Sequence, residues 1–209
     1  MTIELWLTFV AASTALLLIP GPTILLVLSY ALSQGRSVAV ASATGVALGD
    51  LIAMTASLLG LGALVLTSAL AFTVLKWVGA VYLVWLGIKM LRGAGQAKLG
   101  QLGDTRPRAA AEVFGHAALV TALNPKSIGF FIAFVPQFVD PAAPLLPQFA
   151  IMIATFVGLA ALNALAYALL ADKLRERIRR PAVLRGLTRL GGVTLIGMGL
   201  LTATLRRAG

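Results

Sequence analysis

Residues 37–75 read SVAVASATGVALGDLIAMTASLLGLGALVLTSALAFTVL, and this stretch decides the fold because Asp50 is its only charged residue. A helix over 37–88 would be roughly 78 Å long at 1.5 Å per residue, whereas the hydrocarbon core of a bilayer is about 30 Å thick. The stretch is therefore long enough for two membrane crossings. A carboxylate at the centre of a crossing costs about 2.5–3.5 kcal/mol, and such acids usually face a cavity or a pathway. The stretch predicts a membrane protein that moves something across the bilayer.

The composition of the whole chain supports a polytopic membrane protein. Its 209 residues are 59% hydrophobic and 11% charged, whereas a soluble domain is about 45–50% apolar and about 25% charged. The mean hydropathy of +0.96 agrees. The formal charge of +10 would suggest nucleic acid in a soluble chain, but most basic residues here flank apolar runs, so no nucleic-acid partner is expected. The chain has no cysteine, which excludes disulfides and thiolate sites.

Six apolar spans can be placed, and they predict an all-α membrane protein. They cover about residues 3–31, 38–66, 70–91, 114–138, 145–171 and 187–205. Most Lys and Arg residues lie in the loops after spans 1, 3 and 5, which predicts that these loops are cytoplasmic. Both termini are then outside, on the periplasmic face, and only the pair Arg206 and Arg207 resists this orientation. Tyr30 and Tyr167 are predicted near the inner interface.

The N-terminus gives no sign of a cleavable signal peptide. It carries Glu4 and lacks the basic segment that such peptides have, so span 1 is expected to be retained.

The two halves of the chain are predicted to be inverted repeats of three spans each. Three pairs of similar residues lie 113 positions apart: Asp50 and Asn163, Lys76 and Arg189, and Gly79 and Gly192. An odd number of spans per half would invert the second half, as in many secondary transporters. The alternative is that these equal spacings arose by chance in a chain rich in Gly, Ala and Leu. We expect one transporter domain over 1–209, with repeats at about 1–95 and 113–209 and a cytoplasmic loop at about 92–113.

Two proline motifs are predicted to break helices inside spans 1 and 4. Pro20-Gly21-Pro22 removes two backbone donors from span 1, and Asn124-Pro125-Lys126 interrupts span 4. Irregular backbone at this depth survives only where protein or a water-filled cavity covers it. The alternatives are a simple kink in span 1 and a position of Lys126 at the inner interface.

Glycines are predicted to bring helices together around the intramembrane acid. Gly45 and Gly49 form a face on which another helix can approach closely, and Gly79 and Gly192 are candidates for the same role. Asp50 follows Gly49 directly, and Asn163 is its candidate counterpart in the second half. The alternative for Asp50 is a purely structural role as a hydrogen-bonded acid.

The sequence contains no motif for enzymatic or ATP-driven function. It has no dinucleotide fingerprint, P-loop or nucleophile elbow, so neither a cofactor nor ATP hydrolysis by this chain is expected. His116 is the only histidine; it cannot make a metal site by itself, and we expect it at the interface. One intramembrane Asp with a distant His is no recognisable acid–base pair, so we predict that the chain is not an enzyme.

These motifs, in this order, resemble the lysine exporter superfamily of the LysE/RhtB type, and in particular its homoserine/threonine efflux branch. The matching residues are Pro20-Gly21-Pro22, Gly45 to Asp50, KWVGAVYL at 76–83 with Gly87, Asn124-Pro125-Lys126, Phe130-Phe131 and Pro136-Gln137-Phe138. The resemblance covers nearly the whole chain. It implies an exporter of amino acids in the bacterial inner membrane, driven by the proton-motive force and often oligomeric.

The residues and the resemblance together predict proton antiport by alternating access. Lys126 and the half-helix N-termini at the two breaks would receive the substrate carboxylate, and Asp50 would receive the α-ammonium group or an exchanging proton. The expected partners are an amino acid, protons and membrane lipid, with a possible homo-oligomer. The alternative is a membrane scaffold or regulatory subunit without transport of its own. The sequence leaves the identity of the amino acid open.

Overall fold

Eight α-helices make up most of the chain that the structure describes. A computed structural model describes residues 1–67, 69–94, 108–140, 142–178 and 181–204, and these contain no β-strand. The helices are α1 (Ile3–Leu18), α2 (Pro22–Gln34), α3 (Ala39–Thr67), α4 (Ala69–Gly93), α5 (Ala110–Ala122), α6 (Pro125–Ala133), α7 (Leu145–Ile178) and α8 (Pro181–Thr204). Short 3-10 segments at Gly35–Val38 and Val135–Phe138 follow α2 and α6. The predicted all-α fold is confirmed.

The described residues contain four helices that can cross a membrane, or up to six crossings when bent pairs are counted. The four apolar segments are Ala39–Gly62, Thr73–Gly93, Leu145–Ala171 and Arg185–Thr204. The pairs α1 with α2 and α5 with α6 each pass as one bent crossing, with bends of 54° and 44°. These pairs are the broken spans 1 and 4 that the sequence predicts. Only 28% of the apolar stretch of α4 is buried by protein, so most of it can face lipid.

Proline and its neighbours produce both breaks. Pro22 is the first residue of α2, where a missing N–H costs nothing because no intrahelical acceptor exists for it. Pro125 starts α6 in the same way, after Asn124, whose side-chain oxygen accepts the backbone N–H of Lys126 at 3.0 Å. The same prolines cannot continue the helix before them. Each motif therefore ends one half-helix and begins the next.

Two pairs of crossings run parallel, because the residue numbers of facing residues increase in the same direction along both helices. The facing pairs are Gly45 with Phe114 and Gly49 with Ala118 on α3 and α5, and Trp6 with Thr155 and Leu18 with Tyr167 on α1 and α7. The second crossing is thus parallel to the fourth, and the first is parallel to the fifth. In an inverted repeat, crossings 1, 2 and 3 correspond to crossings 4, 5 and 6. The pair of crossings 2 and 4 then corresponds to the pair 5 and 1, so both pairs must be parallel. The repeat itself stays a prediction.

Other pairs of crossings run antiparallel, since the numbers of facing residues change in opposite directions. The facing pairs are Gly87 with Gly192 and Ala80 with Gly199 on α4 and α8, and Gly79 with Ala133 and Tyr82 with Gly129 on α4 and α6. These directions agree with six alternating crossings and with both termini on one side. The predicted loop at about 92–113 lies mostly outside the described residues, as do Arg206, Arg207 and the side chains of residues 174–181.

The core changes in side-chain size along the bundle. Near the start of α1 and α7 lies an aromatic cluster whose rings contact edge-to-face or at a tilt, with centroids 4.8–6.1 Å apart: Phe9, Phe130, Phe131, Phe134, Phe138 and Phe156. Toward the end of α7 and the start of α3, these two helices contribute an alanine layer to the core: Ala39, Ala43, Ala164, Ala168 and Ala171, all buried. The polar residues that the sequence singles out lie between these two regions.

Candidate functional site

A small cavity lies where the two helix breaks meet α3 and α7. It measures about 20 Å³, and a water molecule needs about 10–15 Å³, so it accommodates about one water and no amino acid in this state. Its lining residues are Leu16, Leu17, Gly21, Thr23, Ile24, Val46, Asp50, Asn124, Lys126, Ser127, Ala160 and Asn163. Five of the residues that the sequence predicts for the site are among them. The other three, Pro20, Pro22 and Pro125, belong to the breaks beside the cavity.

Asp50 places a buried carboxylate against this cavity. The residue is 2% exposed, and its carboxylate interacts electrostatically with the ammonium of Lys126 and with the hydroxyl of Ser127. Its Oδ1 atom has no hydrogen-bond partner among the described residues. A buried acceptor without a partner costs about 1–3 kcal/mol, and such groups are rare in native structures. Oδ1 is therefore a buried acceptor that lacks a donor, on a residue that lines the cavity.

The ammonium of Lys126 binds the end of the first half-helix. Its Nζ atom donates to the carbonyl oxygens of Leu16 at 3.1 Å and Ile19 at 2.9 Å. These carbonyls close α1, where no intrahelical N–H reaches them and the helix dipole is negative. The residue is only 7% exposed, so its ammonium is surrounded by protein.

Two residues of α7 bind the carbonyl oxygens of Leu17 and Leu18, which lie between those of Leu16 and Ile19. The side-chain amide of Asn163 donates to the carbonyl of Leu17 at 2.9 Å, and the hydroxyl of Tyr167 donates to that of Leu18 at 2.9 Å. We call the carbonyl oxygens of residues 16–19 the α1 carbonyl end. Each of its four oxygens accepts a hydrogen bond from a side chain of the second half of the chain.

Tyr167 and Thr23 have roles that the sequence analysis missed. Tyr167, predicted near the inner interface, lies four residues after Asn163, so both share one face of α7. Thr23 Oγ1 accepts from the side-chain amide of Asn124 at 3.0 Å and from the hydroxyl of Thr121 at 3.4 Å. This contact connects the two broken helices directly. The four-residue spacing on α7 is the signal that could have identified Tyr167.

The two half-helix N-termini differ in how they are capped. Asn124 caps α6 through its own side chain. Gly21 precedes α2 and provides no side-chain cap there, so the first N–H groups of α2 stay open to an anion. A Cβ at Gly21 would lie 3.3 Å from both Cε and Nζ of Lys126, so a larger residue would crowd the lysine.

The glycines predicted for packing all lie against a neighbouring helix. Gly45 faces the carbonyl of Phe114, Gly49 that of Ala118, Gly79 the side chain of Ala133, and Gly192 the carbonyl of Gly87. His116, predicted at the interface, has Nδ1 hydrogen-bonded to the hydroxyl of Tyr30 at 2.6 Å, and Tyr30 is predicted near the inner interface as well. Within the described ranges, no group of three or more His, Cys, Asp or Glu residues could hold a metal ion.

Comparison with known proteins gives one family and several relatives. A family model for the LysE type translocator matches residues 14–206. The chain is 36% identical to the homoserine/homoserine lactone efflux protein of Salmonella typhimurium over 100% of both chains. It is 35% identical to an uncharacterized membrane protein of Vibrio cholerae, over 99% of this chain and 100% of the relative. It is 32% identical to the leucine efflux protein of Klebsiella pneumoniae, over 65% of this chain and 63% of the relative. No solved structure matches the chain.

Proposed function

Since this chain belongs to the LysE type translocator family, we propose that it exports amino acids across the bacterial inner membrane. Membership in a family of translocators confirms that the chain is a membrane transporter and not an enzyme. Two relatives are named as efflux proteins for homoserine, its lactone and leucine. These three molecules share an α-amino group, which is the feature that a site in this chain would have to recognise.

The observation that carries the proposal is a carboxylate oxygen without a hydrogen-bond donor, on a residue that lines a cavity between two broken helices. Oδ1 of Asp50 has no hydrogen-bond partner within the described ranges, and the cavity beside it also contains Lys126. One anionic and one cationic side chain match the two charges of an amino-acid zwitterion. The α-ammonium group would bind Asp50, and the carboxylate would bind Lys126 and the uncapped N-terminus of α2.

The size of the cavity supports transport by alternating access. At about 20 Å³ it is too small for any amino acid, so loading requires the broken helices to separate on one side of the site. Release requires the same on the other side. Because a proton and the substrate ammonium compete for Asp50, one carboxylate can couple export to proton entry.

The same proposal includes the topology. The chain would be a single transporter domain of two inverted three-helix repeats, with both termini in the periplasm. The basic loops after spans 1, 3 and 5 support this orientation, and the alternating helix directions support the repeat. Most of α4 can face lipid and could also contact a second copy.

Efflux from proteoliposomes that contain only this chain tests the proposal. Labelled homoserine, threonine and leucine would be screened with and without a pH gradient, and an exporter gives gradient-dependent efflux of at least one of them. A scaffold or regulatory subunit would move none.

The variant Asp50→Asn tests the mechanism. We expect at least tenfold slower gradient-driven efflux with an unchanged unfolding temperature, because the amide cannot exchange a proton. Asp140→Asn is the matched control, since Asp140 is an exposed acid that accepts the N–H of Ala142 in a loop. Wild-type efflux by Asp50→Asn would remove this carboxylate from the coupling mechanism.

A further inference from the structure

We propose that the α1 carbonyl end is the binding site for the substrate's primary ammonium group, and that Lys126 occupies it as a tethered stand-in when no substrate is bound. This inference rests on the proposed function, because it assigns where and how that substrate is recognised. It predicts an exchange of two ammonium groups at one set of acceptors. The substrate ammonium enters, and that of Lys126 moves to the substrate carboxylate.

The present contacts show that the site is built for an alkylammonium group. The Nζ atom of Lys126 is 3.1 Å from the carbonyl oxygen of Leu16 and 2.9 Å from that of Ile19. Both oxygens belong to the negative end of a helix dipole, which stabilises a cation. A substrate ammonium has the same three N–H donors as lysine and can bind the same acceptors.

The open oxygen of Asp50 shows that one more donor is expected here. A lysine with a purely structural role beside a buried acid would satisfy that acid. In this structure Lys126 donates to carbonyls instead, and Oδ1 of Asp50 lacks a partner in the part of the chain that the structure describes. Leu16 and Asp50 both line the cavity. An ammonium group in the cavity can therefore reach the carbonyl end and the open oxygen together.

For the exchange, the ammonium of Lys126 must leave the carbonyl oxygens of Leu16 and Ile19, and no side chain at position 21 hinders this movement. Gly21 lies beside Cε and Nζ of Lys126 and has no side chain that would pack against them. The four-carbon stem of lysine is flexible, and the ammonium is a compact charge that can change partners. After the exchange, each ammonium has an acceptor and the site stays electrically balanced with a zwitterion bound.

The exchange assigns a substrate class. Carbonyl oxygens need N–H donors, so the site selects primary ammonium groups and rejects trimethylammonium and N-acylated compounds. Each lost charge-assisted hydrogen bond weakens binding by roughly tenfold or more. The trimethyl derivative of a transported amino acid should then compete at least tenfold more weakly than the parent compound.

Chemical rescue tests the binding site without any transport. The variant Lys126→Ala lacks three side-chain carbons and the ammonium, and n-propylammonium has the same atoms. We expect n-propylammonium to raise the unfolding temperature of this variant in detergent in a saturable manner. Tetramethylammonium at equal concentration should have no effect. Lys89→Ala is the matched control, because Lys89 lies over the ring of Trp85, 5.0 Å from its centre, and away from the site.

A second variant covers the case in which Lys126→Ala does not fold. Lys126→Met keeps most of the volume of the stem and lacks only the charged end, so ammonium chloride should stabilise it where tetramethylammonium chloride does not. The absence of a selective rise in the variant that folds, or an equal rise with tetramethylammonium, would overturn the proposal, because the α1 carbonyl end would then show no preference for a primary ammonium group. If neither variant folds, the competition measurement on wild-type protein decides.

Competition on the wild type also separates this inference from the proposed function. Efflux of labelled leucine or homoserine is measured against the unlabelled amino acid and its N,N,N-trimethyl derivative. Equal competition overturns the exchange while the exporter stands. If the chain moves no amino acid at all, the proposed function fails. The unfolding temperature of the wild-type protein is then measured with each of the two compounds. The inference expects the unlabelled amino acid to raise it and the trimethyl derivative to have no effect.

Discussion

The packing of α3 against α5 allows a quantitative prediction at Gly49. A Cβ there would lie 2.5 Å from the carbonyl oxygen of Ala118 and 2.6 Å from Cβ of Thr121, whereas carbon atoms pack at about 3.5–4.0 Å. Gly60 lies on the same helix, and a Cβ there meets no described atom within 4 Å. Both substitutions to alanine gain the same helix propensity, about 1 kcal/mol in water. The difference between the two variants therefore isolates the steric overlap.

The atoms around Gly49 cannot rotate away, so α5 must move by about 1 Å to admit the methyl group. Overpacking of this kind costs about 1–3 kcal/mol. For a chain of this length, 1 kcal/mol corresponds to about 2–4 °C in unfolding temperature. We therefore expect the unfolding temperature of Gly49→Ala to lie about 2–12 °C below that of Gly60→Ala. The measurement is thermal unfolding of both purified variants in one detergent. Equal unfolding temperatures, or a more stable Gly49→Ala, would refute the close approach of these two helices.

Two further predictions concern the helix break and the orientation. Tyr167→Phe should lower the free energy of unfolding by about 1 kcal/mol, because it removes a 2.9 Å hydrogen bond to the α1 carbonyl end. Tyr82→Phe should cost less, because its bond is 3.4 Å long, and equal losses in chemical unfolding would contradict this ranking. The chain has no cysteine of its own, so a membrane-impermeant maleimide applied to intact cells should label a cysteine placed at Ala142 and not one placed at Gly93. The opposite labelling pattern would invert the proposed topology.

The breaks could be predicted from sequence because proline acts on its own neighbours. Pro22 and Pro125 remove a donor and clash with the turn before them whatever packs around them. The number of crossings follows from the length of apolar runs in the same local way. Asp50 and Asn163 were paired by their offset of 113 positions, and both line the cavity.

The direction of the Lys126 side chain could not be predicted, because its partners are far away along the chain. The carbonyls of Leu16 and Ile19 are 110 and 107 positions from Lys126. Which of several acceptors a flexible ammonium chooses depends on how α1 and α6 cross, and local sequence does not encode that angle. The same holds for Tyr167, whose partner lies 149 positions away. The spacing from Asn163 identifies the face of α7 on which Tyr167 lies, but it does not identify the carbonyl that the hydroxyl binds.

The contrast between the aromatic cluster and the alanine layer has a consequence for leakage. Large interlocked rings share far more contact area than methyl groups do, so they are harder to pull apart. We therefore expect the bundle to yield first on the alanine side, which is cytoplasmic in the proposed orientation. Cargo would then enter from the cell with little resistance, while external cargo would face the stronger barrier. The bundle would then favour transport out of the cell over transport into it. This preference would come from side-chain size, in addition to any effect of the ion gradient.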